Sequence, residues 1–176
     1  MNIDVTALSG PSDPPHLGRL RFGALEFECA LGRNGLVTSK REGDGGTPIG
    51  SFSILELRYR PDRIKTPVTT LPLKQTTPSD GWCDAPEDKR YNQPVTLPYP
   101  ASAEAMWRDD HLYDLVMVLD YNFSPVRPFA GSAIFFHLAN EEAGKLIPTE
   151  GCVALRKPDM LQLLPQLTRE TKMRIG

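Results

Sequence analysis

Two residues in this chain have the types and the spacing for nucleophilic acyl chemistry. His137 lies near the end of the apolar run Ser132 to Leu138, and Cys152 stands 15 residues later, before the apolar Val153, Ala154 and Leu155. A cysteine attacks a carbonyl carbon as its thiolate, and a pKa of roughly 8.5 leaves only a few per cent in that form at neutral pH. A neighbouring imidazole corrects this by taking the proton. Between the two, Asn140 to Thr149 carries Gly144 and Pro148 among charged residues and reads as an exposed connection, so the two strand ends can lie side by side. Gly151, without a Cβ, lets the backbone turn sharply before the thiol. The N–H groups of Gly151 and Cys152 then face a developing oxyanion, at roughly 3 kcal/mol per donor. Both side chains also have ordinary structural uses: cysteine as a small buried hydrophobe, histidine as a hydrogen-bonded strand end. Spacing alone does not choose between these uses.

Other residues gather around this pair as candidates for substrate contact. Thr149 and Glu150 flank the thiol in sequence. Lys40 to Gly46 is too polar and Gly-rich to pack, and it feeds the strand Thr47 to Leu57, so it suits a substrate-facing rim where Lys40 and Arg41 meet carboxylates. Pro61 to Asn92 is irregular, with strand character from Thr69 to Thr76. Its aromatic and polar residues mark a covering loop that offers Trp82, Asp84, Tyr91 and Asn92 to a substrate. Trp82 serves equally well as an anchor of that loop to the core.

The elements that must position these residues are mostly strands. Asn2 to Leu8 alternates, Ser9 to Pro15 is a turn region with three Pro, and Arg19 to Phe22 with Ala24 to Ala30 forms a hairpin around Gly23. Asn34-Gly35 is a hairpin signal. Ser102 is a suitable N-cap for a short helix to about Asp109. Leu115 to Leu119, the most hydrophobic run, is a central strand. Lys157 to Leu167 reads as a helix with Pro158 in its first turn and a poorly placed Pro165. Lys172 to Ile175 closes the fold as an edge strand. His16 and His111 sit in a Pro-rich turn and a charged segment and take no catalytic part.

Composition sets the class. With 176 residues, 40% apolar and 24% charged, the chain is a folded globular protein, most simply one domain over residues 1–176. Seventeen Pro and 14 Gly punctuate short segments throughout, as in a β-rich fold. A formal charge of -2 gives no electrostatic footprint for nucleic acid. No metal-ligand spacing occurs, so a zinc site is not expected. Cys29 alternates with Leu25 and Phe27 toward a core, and Cys29 and Cys83 either pair or remain thiols. Residues 1–10 lack the basic start and apolar core of a secretory signal, and no run approaches the roughly 20 apolar residues of a membrane span. Read literally, that places the chain in the cytoplasm. Oligomeric state is not legible.

Two separated motifs carry a resemblance. The stretch TEGCVAL, with His137 upstream at a strand end, looks like the signature of the L,D-transpeptidase catalytic domain (YkuD-type): a His, a gap of this size, then Ser or Thr, His, Gly, Cys, an apolar residue, and Asn or Arg. His137, Thr149, Gly151, Cys152 and Val153 match. Upstream, Lys40 to Phe52 is similar to the family's Gly-containing loop followed by T-P-x-G-x-F. Glu150 stands in place of the second His, and Ala154 in place of the Asn or Arg. The resemblance implies a mainly β fold, a sandwich or distorted barrel with one or two short helices, acting without a cofactor. It also implies that Cys152, deprotonated by His137, attacks a diaminopimelate carbonyl in a peptidoglycan stem peptide and expels D-alanine. An amine of another stem then resolves the thioester, giving a cross-link that serves cell-wall organisation and cell shape; water instead makes the protein a carboxypeptidase. The altered Glu150 and Ala154 leave a catalytically impaired cell-wall-binding module as a rival, and a use on an intracellular amide as another. By this resemblance the protein works in the periplasm or cell envelope.

Overall fold

Alternating side chains along eight strands build a closed, barrel-like sheet. The computed structural model describes residues 1–8, 10 and 12–176. The turn expected over Ser9 to Pro15 falls partly on Ser9 and Pro11, which lie outside the described residues. In chain order the strands are β1 (Ile3–Ala7), β2 (Leu17–Phe22), β3 (Leu25–Ala30), β4 (Gly50–Tyr59), β5 (Leu115–Leu119), β6 (Phe135–Leu138), β7 (Val153–Leu155) and β8 (Lys172–Ile175). They neighbour one another as β5-β6-β7-β3-β2-β1-β8-β4, and β4 pairs back onto β5. The β1/β8 and β6/β7 pairs are parallel. The remaining pairs in the ring are antiparallel.

One face of each strand fills the barrel. Ile3, Val5, Leu20, Leu57, Leu115, Met117, Phe136, Leu138, Val153 and Leu155 are all fully buried in one cluster. The helix α1 (Lys157–Leu163) adds Met160 and Leu163 to it. The expected helix to Leu167 stops at Leu163, and Pro165 sits in a 3-10 turn over Leu164–Gln166, where its missing N–H breaks no α-helical ladder.

Strands β5 and β6 are buried on their outer face as well. Val116, Val118 and Phe135 pack there against Trp82, Met106 and Tyr113, all carried by the long excursion between β4 and β5. This second burial explains why β5 reads as a continuous apolar run rather than an alternating one. The excursion is organised by a three-stranded sheet with Asp80–Cys83 in the centre, between Pro94–Thr96 and Ala103–Ala105. Strand character expected over Thr69 to Thr76 is confined to Leu73–Gln75, which pairs with the end of β4.

Three expectations are corrected. The helix from Ser102 is instead the strand Ala103–Ala105, with Glu104 opposite Trp82. Eight residues after a Pro-rich stretch are too few to nucleate a helix alone, and the exposed edge of Asp80–Cys83 offers a ladder. Asn34-Gly35 does turn the chain, with Gly35 at φ 69. It makes no antiparallel hairpin, because Leu36–Val37 pairs in parallel with Thr47–Pro48. β8 is no edge strand, since it lies between β1 and β4.

Candidate active site

The register of β6 against β7 places the chemistry. His137 pairs with Ala154, and Cys152 lies two residues before Ala154, so thiol and imidazole project from the same, outer face of the sheet. Both line one cavity of about 470 Å³, which the excursion roofs. The turn before the thiol requires glycine: Gly151 has φ 139, and a Cβ there would come within 2.8 Å of the Gly46 carbonyl oxygen. Val153 and Leu155 then anchor β7 in the core. Ser132 to Leu138, expected as one strand, starts its ladder only at Phe135, because Gly131 (φ 95) and Ala133 (φ 52) turn the backbone first.

The Cys152 thiol has two hydrogen-bond partners. Sγ accepts the Phe135 N–H at 3.3 Å and donates to the Ala133 carbonyl at 3.2 Å. The His137 imidazole uses Nδ1 against the Leu138 carbonyl at 2.8 Å, which leaves Nε2 with its lone pair when Nδ1 carries the proton. The Tyr113 ring meets the imidazole edge-on at 5.3 Å, and its hydroxyl donates to Glu104 at 2.7 Å. Burial pushes the Cys152 thiol up to about 12, only partly opposed by the Phe135 N–H. Burial likewise pushes His137 down to about 4. The resting pair is therefore a neutral thiol and a neutral imidazole. Among the described residues no hydrogen bond joins the two directly.

Backbone donors at the thiol are unequal. The Gly151 N–H donates to the Thr149 hydroxyl at 3.1 Å, and that hydroxyl donates on to the Cys152 carbonyl at 2.7 Å. The Cys152 N–H has no acceptor among the described residues, so it is free to donate to a group in the cavity.

The remaining sequence-predicted residues divide into two groups. Lys40, Asp84, Thr149 and Glu150 line the cavity with the pair. Lys40 is engaged there by the Asp44 carboxylate and the Arg41 carbonyl. Glu150 is 81% exposed at its side chain and pairs with Arg33. Trp82, Tyr91 and Asn92 are each 2% exposed and are not on the lining of the cavity. Tyr91 donates to Glu42, and the Trp82 indole donates to Asn92 at 2.9 Å. Arg41 lies on a neighbouring shallow groove with Phe129. Cys29 and Cys83 are free, buried thiols.

Residues that sequence reasoning passed over complete the lining. Glu42 accepts from Ser132 at 2.8 Å, and Glu104, Arg108 and Tyr113 come from the excursion. Arg108 is held by Asp110 through bonds of 2.9 and 2.6 Å. Arg108 also meets Glu104 at 3.4 Å, so the lining carries Glu42, Asp84 and Glu104 beside Lys40 and Arg108, and burial pushes Glu104 up. Glu42 lay within reach of sequence reasoning, in the loop that holds Lys40 and Arg41; Tyr113 and Glu104 had no motif.

A family model described as the L,D-transpeptidase catalytic domain (YkuD) matches residues 19–175. No curated protein and no solved structure matches the chain.

Proposed function

The chain belongs to the L,D-transpeptidase catalytic-domain family, and we propose that Cys152 is its nucleophile, His137 its base, and an acyl-enzyme with a peptidoglycan stem peptide its intermediate. The observation that carries this reading is the opening of both side chains from paired strands, on one face, into one cavity. Nε2 of His137 takes the Cys152 proton as Sγ bonds to the carbonyl carbon of the stem peptide. The Cys152 N–H receives the oxyanion. On collapse, the C–N bond to the terminal D-alanine breaks, and the imidazolium returns its proton to the leaving amine. A thioester remains.

An acceptor from a second stem gives its ammonium proton to solvent and attacks the thioester carbonyl as the amine. The attacking nitrogen then passes a second proton to His137, which hands it to the sulfur of Cys152 as the C–S bond breaks. The carboxylates of Glu42 and Asp84 on the lining favour an acceptor that arrives as an ammonium, which supports amine transfer over hydrolysis. Residues 1–176 act as one catalytic domain in this reading, because the first and last strands pair with each other.

Incubation with a stem tetrapeptide, with and without an added amine, tests the assignment by product mass. Cross-linked product and free D-alanine are expected in the presence of the amine. Release of D-alanine with only hydrolysed tripeptide in both conditions makes the protein a carboxypeptidase. Peptide binding with neither product makes it a binding module. Replacing the base, as in His137→Gln, is expected to slow acylation by about 10²-fold to 10⁴-fold.

A further inference from the structure

The steps above give no part to Asn92, although its amide is among the most completely engaged groups in the molecule. Asn92 is 2% exposed. Its Oδ1 accepts the Trp82 indole N–H at 2.9 Å and the Ala133 N–H at 3.0 Å. Its Nδ2 donates to the carbonyls of Tyr121 at 3.0 Å and Asn122 at 2.8 Å. Two donors and two lone pairs are the whole capacity of an asparagine side chain, and all four are used.

Ala133 is the informative partner. Its φ of 52 lies in the left-handed region, which a residue with a Cβ holds only when its surroundings over-determine it. The Asn92 bond to its N–H is such a restraint, and the turn through Gly131 leads into it. This backbone conformation aims the Ala133 carbonyl at the Cys152 thiol, 3.2 Å away. The Phe135 N–H completes the clasp on sulfur at 3.3 Å.

We propose that Asn92 is a positioning residue for the nucleophile: by holding Ala133 in the left-handed conformation, it parks the Cys152 S–H on the Ala133 carbonyl, off the imidazole, until a substrate enters. The catalytic consequence rests on the reading of Cys152 as nucleophile; the parked thiol itself does not. In the resting enzyme the S–H proton is committed to a carbonyl that cannot remove it. An entering acyl group that displaces this contact lets the S–H rotate toward Nε2 of His137 while the sulfur stays in place on the Phe135 N–H. The nucleophile is thereby fixed in place and yet unreactive between turnovers.

The S–H stretching vibration reads this directly, by Raman or infrared difference between the wild type and Cys152→Ala. A hydrogen bond to a carbonyl lowers that frequency, and Cys29 and Cys83, which have no such bond among the described residues, serve as internal references. The Cys152 band is expected below theirs, and to rise toward them in Asn92→Ala. Trp82→Phe removes the other donor to Oδ1 and leaves the Ala133 contact in place, so it is expected to keep the low band. In steady state, Asn92→Ala lowers kcat for acylation by about 10²-fold with little change in KM, the signature of a displaced nucleophile. Ala133→Gly in the Asn92→Ala background restores part of kcat, because glycine takes the left-handed conformation without help.

A Cys152 band level with the other two in the wild type overturns the proposal. So does a low band that survives in folded Asn92→Ala, or one lost from folded Trp82→Phe. A rise in KM at constant kcat also overturns it, by making Asn92 a substrate contact. Should Asn92→Ala fail to fold, the wild-type and Trp82→Phe spectra decide. Failure of the nucleophile reading shows separately, as the absence of any acyl adduct, and leaves the spectrum of the resting thiol unchanged.

Discussion

At neutral pH the imidazole of His137 is uncharged, because burial pushes its pKa down to about 4 from an ordinary 6.5. Between those two values the unfolded chain binds a proton that the folded chain refuses, so stability falls as pH drops through that window. Two and a half pKa steps correspond to on the order of 3 kcal/mol when the window is fully crossed. Urea denaturation of the wild type at pH 7 and near pH 4 is expected to show this loss, and His137→Gln to show a smaller one. Equal losses in both proteins would mean that His137 is not held neutral by the fold. The pair itself was legible as residues: a His at a strand end and a Gly-Cys at a spacing that allows a meeting. The direction of the thiol was not, because it depends on a left-handed alanine and an asparagine 41 residues before it, joined by one hydrogen bond.

The β6/β7 element and its roof explain the two departures from the family motif. Ala154 is fully buried among Ala30, Ala139 and Leu146, where the short hairpin of Glu141–Glu142 and Lys145–Leu146 folds over β7. A larger Asn or Arg at this position would have to displace these neighbours. Ala154→Arg is therefore expected to destabilise the protein by about 3 kcal/mol or more, by burying a charge without a partner. Chemical denaturation checks this; a change under about 1 kcal/mol would show that the hairpin yields. Glu150 is the opposite case, an exposed carboxylate paired with Arg33 at the cavity rim. Glu150→Ala is expected to cost less than about 1 kcal/mol in the same assay, and a larger loss would make this pair part of the frame.

Strands that alternate, such as β2 and β3, were readable from sequence because one face is buried and the other is wet. The strand Ala103–Ala105 was not, because its sequence carries a helix cap and its ladder comes from a distant segment. Tyr113 and Glu104 escaped notice for the same reason: only the packing of the excursion on β5 and β6 brings them to the imidazole.

At the scale of the molecule, the ring of strands closes through its two ends. β1 lies between β2 and β8, and it precedes the region matched by the family model. Ile3 and Val5 are fully buried in the main core, and two such side chains contribute roughly 3 to 6 kcal/mol together. Deletion of residues 1–8 is expected to remove at least that much, and to expose the edges of β2 and β8 to pairing with other chains. Thermal unfolding and sedimentation report both effects. An unchanged melting temperature in a monomeric truncated protein would make β1 dispensable.

Every catalytic step assigned to the cavity depends on Cys152 accepting an acyl group. The direct test is the intact mass of the protein after incubation with a carbapenem, which members of the family accept as a pseudo-substrate, measured for the wild type and for Cys152→Ala. One covalent adduct on the wild type and none on Cys152→Ala is the predicted result. An adduct that persists on Cys152→Ala, or a wild type that stays unlabelled while folded, would contradict the assignment of Cys152 as the nucleophile.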